Sequence, residues 1–268
     1  MISGLCFLGA LRTAARLLIS SAPTWAGGTV TYADVREQLT VWESVATTRW
    51  GRYTTEVVED AIRTACDLAG TPGPALEVGC EGGRWSLLLA TAGWDMTCTD
   101  INTEVLAVCQ RRVPTASCVL VSPREKTLPC ETEAVRLVLC LEVFPVMNSS
   151  WFAPEASRVL SDNGVLVGVV LNRMSLRGLY VRARHLLKGD SDSDFYRLSY
   201  AEWRQRAKAA GLEVAFERGY CWFPLPRSSN SILAPFFIKL ERWLGLGRLT
   251  TLSPWVVFVA RRGARPAP

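Results

Sequence analysis

One stretch, Ala75-Leu76-Glu77-Val78-Gly79-Cys80-Glu81-Gly82-Gly83-Arg84-Trp85, constrains this chain more than any other. It reads as a short apolar strand, a glycine-rich turn and then a helix from Trp85 to Ala92. Glycine reaches backbone angles that other residues resist, and it lets a ligand approach the main chain closely. A helix N-terminus behind such a turn presents unpaired N–H groups that attract a carboxylate or phosphate. The stretch is therefore a candidate cofactor loop. Geometry alone also explains glycines between a strand and a helix, so the residues C-terminal to the loop decide between the two readings.

Beyond the loop, strands and helices alternate. Strands are expected at 75–78, 95–99, 116–121, 134–141 and 165–171, and helices at 85–92, 103–112 and 150–160. Near-continuous apolar strands separated by helices imply a parallel sheet covered on both faces, joined by right-handed crossovers. Before the first strand, a helix is expected from Thr31 to about Val45. Then comes a turn at Arg49–Tyr53 and a helix over 55–69 capped by Thr54 or Thr55. After residue 171 the pattern changes. A basic segment of helical character (172–194) precedes a helix at 200–210. Two strands, 212–222 and 255–261, then enclose an insertion with an apolar helix, Ile232–Leu244. The division expected is a helical preface or lid (1–53), one α/β domain (54–262) with insertions at 172–198 and 223–253, and a short tail (263–268).

Composition excludes several classes. Apolar content of 49% is too high for a disordered chain, and the net charge of +5 comes partly from the tail arginines. No basic stripe with interleaved aromatics is present, so no nucleic-acid partner is expected. The nine cysteines form no Cys-x-x-Cys pair, and there is one histidine, so no metal site is expected. An odd cysteine count, with several in apolar runs, favours a reducing, cytoplasmic setting. Residues 1–20 have apolar residues at helical spacing with Arg12 and Arg16 among them. That pattern is too short and too charged to span a bilayer, and it reads as an amphipathic helix packed on the domain or touching a membrane surface.

Asp100 sharpens the reading. It closes the second strand, where an α/β nucleotide site places a carboxylate on ribose hydroxyls. A nicotinamide enzyme and an S-adenosylmethionine enzyme share that feature. The Gly-x-Gly-x-x-Gly pattern is not met, because Glu81 stands at the second glycine. An acid, Glu77, precedes Gly79 by two residues, and the chain finishes on a strand pair enclosing an insertion.

On these residues the chain resembles the class I S-adenosylmethionine-dependent methyltransferases of the small-molecule type, with a methyltransferase-11-like domain. Leu76–Arg84 is similar to the family's first motif, Thr99-Asp100-Ile101 to its second, and Leu128-Pro129 to the pair after the third strand. Leu141-Glu142-Val143 resembles the end of the fourth strand. Ser157–Leu166 resembles the family's Arg-Val-Leu, turn and apolar strand, and Ala209–Val214 the entry to the penultimate strand.

The resemblance implies a Rossmann-like, seven-stranded, mostly parallel sheet with an antiparallel last strand and helices on both faces. It implies S-adenosyl-L-methionine as cofactor. Glu77 would lie near the aminopropyl end, Gly79, Cys80, Glu81 and Gly83 would wrap the methionyl part, and Asp100 would take both ribose hydroxyls. Ile101 would pack on the adenine, Leu141 at the end of the fourth strand would also contact the cofactor, and Glu125 is the nearest acid before Leu128-Pro129. The sequence departs from the pattern at Glu81, at Arg124, where an acid is common, and at Val135-Arg136.

Methyl transfer is an in-line displacement at carbon, so the protein must align the acceptor, exclude water and, for a poor nucleophile, remove a proton. Glu142, at the C-terminal edge of the fourth strand, and His185 are the candidate catalytic residues. Both also have plain readings, as a loop carboxylate and as a residue on a solvated basic helix. Trp50 and Tyr53 are candidates to face the sulfonium, or simply core residues. The expected activity is transfer to a small acceptor of lipophilic character, with oxygen favoured as target. The rival reading is a degenerate, non-catalytic relative that binds cofactor or protein. The basic segment Arg173–Lys188 is a solvated face or a contact for an anionic membrane surface.

Overall fold

A computed structural model describes residues 40–188 and 195–263. The helix expected over 1–20, the linker after it and most of the helix expected from Thr31 fall outside these residues. Within them the chain runs α1 (Val41–Ala46), α2 (Arg49–Ala69), β1 (Pro74–Val78), α3 (Arg84–Thr91), β2 (Asp95–Asp100), α4 (Thr103–Arg112), β3 (Ser117–Leu120) and β4 (Val135–Cys140). It continues through α5 (Phe144–Met147), α6 (Phe152–Val159), β5 (Leu160–Leu171), α7 (Leu176–Lys188), α8 (Tyr200–Ala209), β6 (Leu212–Tyr220), α9 (Ala234–Trp243), a 3-10 turn at Leu246–Arg248 and β7 (Trp255–Arg262).

The strands form one seven-stranded sheet in the order β3-β2-β1-β4-β5-β7-β6. Strands β1 to β5 pair in parallel, while β7 lies antiparallel between β5 and β6. Chain order reverses between β1 and β4, and such a switch point opens a crevice at the carboxyl ends of the strands. Alternate residues of β1 and β4 feed two cores. Ala75, Leu137 and Leu139 face the layer of α2 and α4. Leu76, Val138 and Cys140 face α6 and α8. Both faces are covered, as the unbroken apolar runs require.

The second core centres on Trp203 of α8. Its ring lies 4.8 Å from Phe258 and 6.4 Å from Phe152, and its indole N–H has no hydrogen-bond partner among the described residues.

The turn expected at Arg49–Tyr53 is instead the start of α2, capped by Thr48 rather than Thr54 or Thr55. The Thr48 side chain accepts from the Gly51 N–H at 3.0 Å, the N-cap bond that a helix start favours. Gly51 is a packing residue, because a Cβ there would overlap the Val45 carbonyl at the end of α1. The turn expected at 161–164 is drawn into β5, with Asn163 at a φ of 62°.

Candidate functional site

The crevice between β1 and β4 is a cavity of about 410 Å³. Its floor comes from Glu77–Glu81, Thr99–Ile101 and Leu141–Val143, the carboxyl ends of β1, β2 and β4. Val45 and Ala46 of α1 and Gly51, Thr54, Thr55 and Val58 of α2 form one wall, with α2 running unbroken across the boundary expected between residues 53 and 54. A bidentate ion pair fastens α1 there. Arg112 of α4 donates to Glu43 of α1 at 2.6 and 2.9 Å and also to the Gly82 carbonyl at 2.9 Å.

The loop after β1 visits the left-handed region three times, at Gly79 (φ 69°), Glu81 (49°) and Gly83 (75°). Glycine does this freely, whereas a glutamate at Glu81 carries a small strain. Asp100 anchors the turn. One carboxylate oxygen accepts the Glu81 N–H at 3.0 Å, and the other accepts the Asn102 N–H at 3.0 Å. The Glu81 backbone N–H is thus part of what holds the loop in shape.

Glu77 is buried at the end of β1 and hydrogen-bonded to the Ser86 hydroxyl of α3. Burial raises its pKa from 4.5 to about 8, and the Ser86 bond offsets only part of that. Unfolded, the carboxyl titrates near 4.5. Between there and about 8 the folded chain holds the extra proton, so this group's contribution to stability falls as pH rises through that window. Glu77→Gln, neutral and of the same shape, should remove this slope. The check is urea unfolding of both proteins at about pH 5 and about pH 8.5; equal wild-type and variant slopes would refute the assignment.

Glu142 stands in the cavity at a φ of 64°. Both its oxygens accept from Arg227, one of them at 2.6 Å. Arg227 comes from the loop before α9, and its guanidinium also lies 5.0 Å from the Trp255 ring. Sequence reasoning passed over Arg227, since a lone arginine in a Pro/Ser segment carries no spacing signal. Arg84, at the first position of α3, lines the same cavity and stacks on Trp85 at 4.2 Å; burial lowers its pKa.

The expected site residues thus divide. Glu77, Gly79, Cys80, Glu81, Asp100, Ile101, Leu141 and Glu142 all line the cavity, and Gly83 caps α3 directly behind it. Glu125 does not. It stands exposed in a turn closed by its N–H on the Ser122 carbonyl, and Val121 and Pro123 line the cavity on that side. His185 falls on α7, with its side chain outside the described residues. Trp50 and Tyr53 do not reach the cavity. They pack against each other in the core, and the Tyr53 hydroxyl donates to the buried carboxylate of Glu241 on α9.

Comparison with known proteins agrees with this geometry. Residues 76–168 match the model of a family described as a methyltransferase domain. An uncharacterized methyltransferase-like protein of Schizosaccharomyces pombe is 28% identical over 158 residues, a match that spans 57% of each chain. A geranyl diphosphate methyltransferase solved in complex with SAM superposes with a TM-score of 0.56 at 15% identity, over 88% of this chain and 96% of that one. A SAM-dependent methyltransferase from Methanosarcina mazei gives 0.54 at 14% identity, over 74% and 96%. These structures share the fold at identities too low to speak for a substrate. Residues 76–168 thus match a methyltransferase domain, and the seven-stranded sheet around them has the fold of the methyltransferase structures compared.

Proposed function

We propose that this chain transfers a methyl group from S-adenosylmethionine to a small acceptor of lipophilic character, with oxygen the favoured target atom. The observation that carries the proposal is the pairing of Asp100 with the three left-handed turns of the glycine loop in one cavity. The residues there suit the cofactor. The Asp100 carboxylate matches two ribose hydroxyls, the loop N–H groups and the Arg84 guanidinium suit the methionyl carboxylate, and Glu77 suits the ammonium. Ile101, which is 62% exposed without a ligand, offers an apolar surface for the adenine. When bound, the cofactor supplies an electrophilic methyl group, and the chain's own residues position the acceptor and exclude water.

Val45, Val58, Val143, Pro145 and Val146 give the rest of the cavity an apolar wall, which supports a lipophilic acceptor. Glu142 and His185 remain the candidate bases. Each Glu142 oxygen accepts one bond from Arg227 and keeps a second lone pair that can take a proton. We extend the proposal to peripheral contact with an anionic membrane surface. Helix α7 exposes Leu176, Leu187 and Arg182, and α9 exposes Phe236 and Trp243 with Lys239 one turn from each. Among the described residues no helix is long and apolar enough to cross a membrane.

The test is calorimetric titration with S-adenosylmethionine, followed by assay for S-adenosylhomocysteine with a panel of lipophilic alcohols and phenols. Absence of binding would sink the proposal. Binding without turnover on any acceptor class would favour a degenerate, cofactor-binding relative.

A further inference from the structure

Three cysteines with no paired spacing in the sequence meet in the fold. Cys98 of β2, Cys109 of α4 and Cys118 of β3 bring their sulfur atoms within 4.8 Å of one another. Two features of topology do this. Cys98 and Cys118 are direct neighbours in the parallel register of β2 and β3. The crossover helix α4 then lays Cys109 over both.

The surroundings of this cluster are those of a site. Gly83 keeps it open, since a Cβ there would stand 2.6 Å from the Cys109 sulfur. The Ser86 hydroxyl, whose proton goes to Glu77, lies 3.0 Å from the Cys98 sulfur and there accepts from the thiol. Cys98 and Cys109 are fully buried, but Cys118 is half-buried on the edge strand β3, which gives an entry route from solvent. The ligand set is all sulfur, and soft thiolates select thiophilic ions over magnesium or calcium. A tetrahedral or trigonal ion with metal–sulfur bonds of about 2.3 Å needs sulfurs about 3.8 Å apart, within about an ångström of the present separations.

We propose that Cys98, Cys109 and Cys118 form a three-sulfur binding site for a thiophilic d10 metal ion, Zn²⁺ or Cu⁺. Binding replaces the thiol protons, which pass to solvent, and changes no oxidation state.

The experiment uses the full chain, purified anaerobically with reductant and freed of metal. It is titrated separately with Zn²⁺, with Cu⁺ and with Co²⁺ as a spectroscopic stand-in for zinc. Binding is followed by elemental analysis and by sulfur-to-cobalt charge-transfer absorption. We expect one equivalent of Zn²⁺ or Cu⁺ per chain, with thiolate bands in the cobalt form. Cys118→Ser, on the edge strand where serine is tolerated, should lose the bands or weaken binding at least tenfold while keeping the wild-type circular dichroism. Cys66→Ser, on α2 away from the cluster, should keep both. No cobalt–thiolate absorption in the reduced wild type would overturn the proposal. So would equal binding by Cys118→Ser, or loss of two titratable thiols to a disulfide with no metal bound.

Discussion

Replacing Asp100 with alanine should weaken S-adenosylmethionine binding by about 100-fold, or about 2.7 kcal/mol. Two effects add. In the proposed pose the carboxylate would accept from two ribose hydroxyls, and with water taking over part of that role in the variant the pair contributes about 1.5–3 kcal/mol. It also holds the Glu81 and Asn102 N–H groups, so its loss frees the turn that must be ordered for binding. Asp100→Asn keeps the shape and one acceptor oxygen, and should lose closer to tenfold. Calorimetry reads both variants, and a Kd unchanged in Asp100→Ala would remove the basis for the proposed cofactor pose.

The largest effect on stability is expected at Trp203. Truncation to alanine removes a fully buried ring from between Phe152 and Phe258 and should cost about 4 kcal/mol. For a domain of this size that lowers Tm by about 8–16 °C. Because the indole N–H makes no hydrogen bond, Trp203→Phe forfeits packing alone and should lose less than half as much. Thermal unfolding followed by circular dichroism distinguishes the two. A Tm for Trp203→Ala within about 3 °C of wild type would mean that the helix layer of α6 and α8 contributes little to cooperativity.

The sheet was legible in the sequence because its strands are buried on both faces. Ala134–Leu141 and Val165–Leu171 leave almost no polar residue to blur the pattern. The cavity floor was legible for a related reason: Glu77, Gly79 and Asp100 sit at strand ends, where local chemistry alone sets position. The start of α2 was not. Gly51 between aromatic residues looks like a turn, and only the nearness of the Val45 carbonyl explains a glycine inside a helix. Contacts between distant segments left no trace either. Arg227 reaches Glu142, Glu241 receives the Tyr53 hydroxyl, and Cys98, Cys109 and Cys118 converge only after the strands take their order. Each depends on a partner that sequence spacing does not encode.

The antiparallel course of β7 has a practical consequence. Its last residues, Arg261 and Arg262, lie beside Val165 within β5 and Leu212 at the start of β6, and the Gly263 N–H donates to the Gly211 carbonyl at 3.0 Å. The chain therefore leaves the sheet at the rim opposite the cavity mouth. Thr40, by contrast, stands against Gly82 at the mouth itself. A surface-immobilisation handle fused after residue 263 would point the open cavity toward the flowing ligand. One fused ahead of Thr40 would tether the protein beside its own entrance, and binding rates measured in the two orientations should differ accordingly.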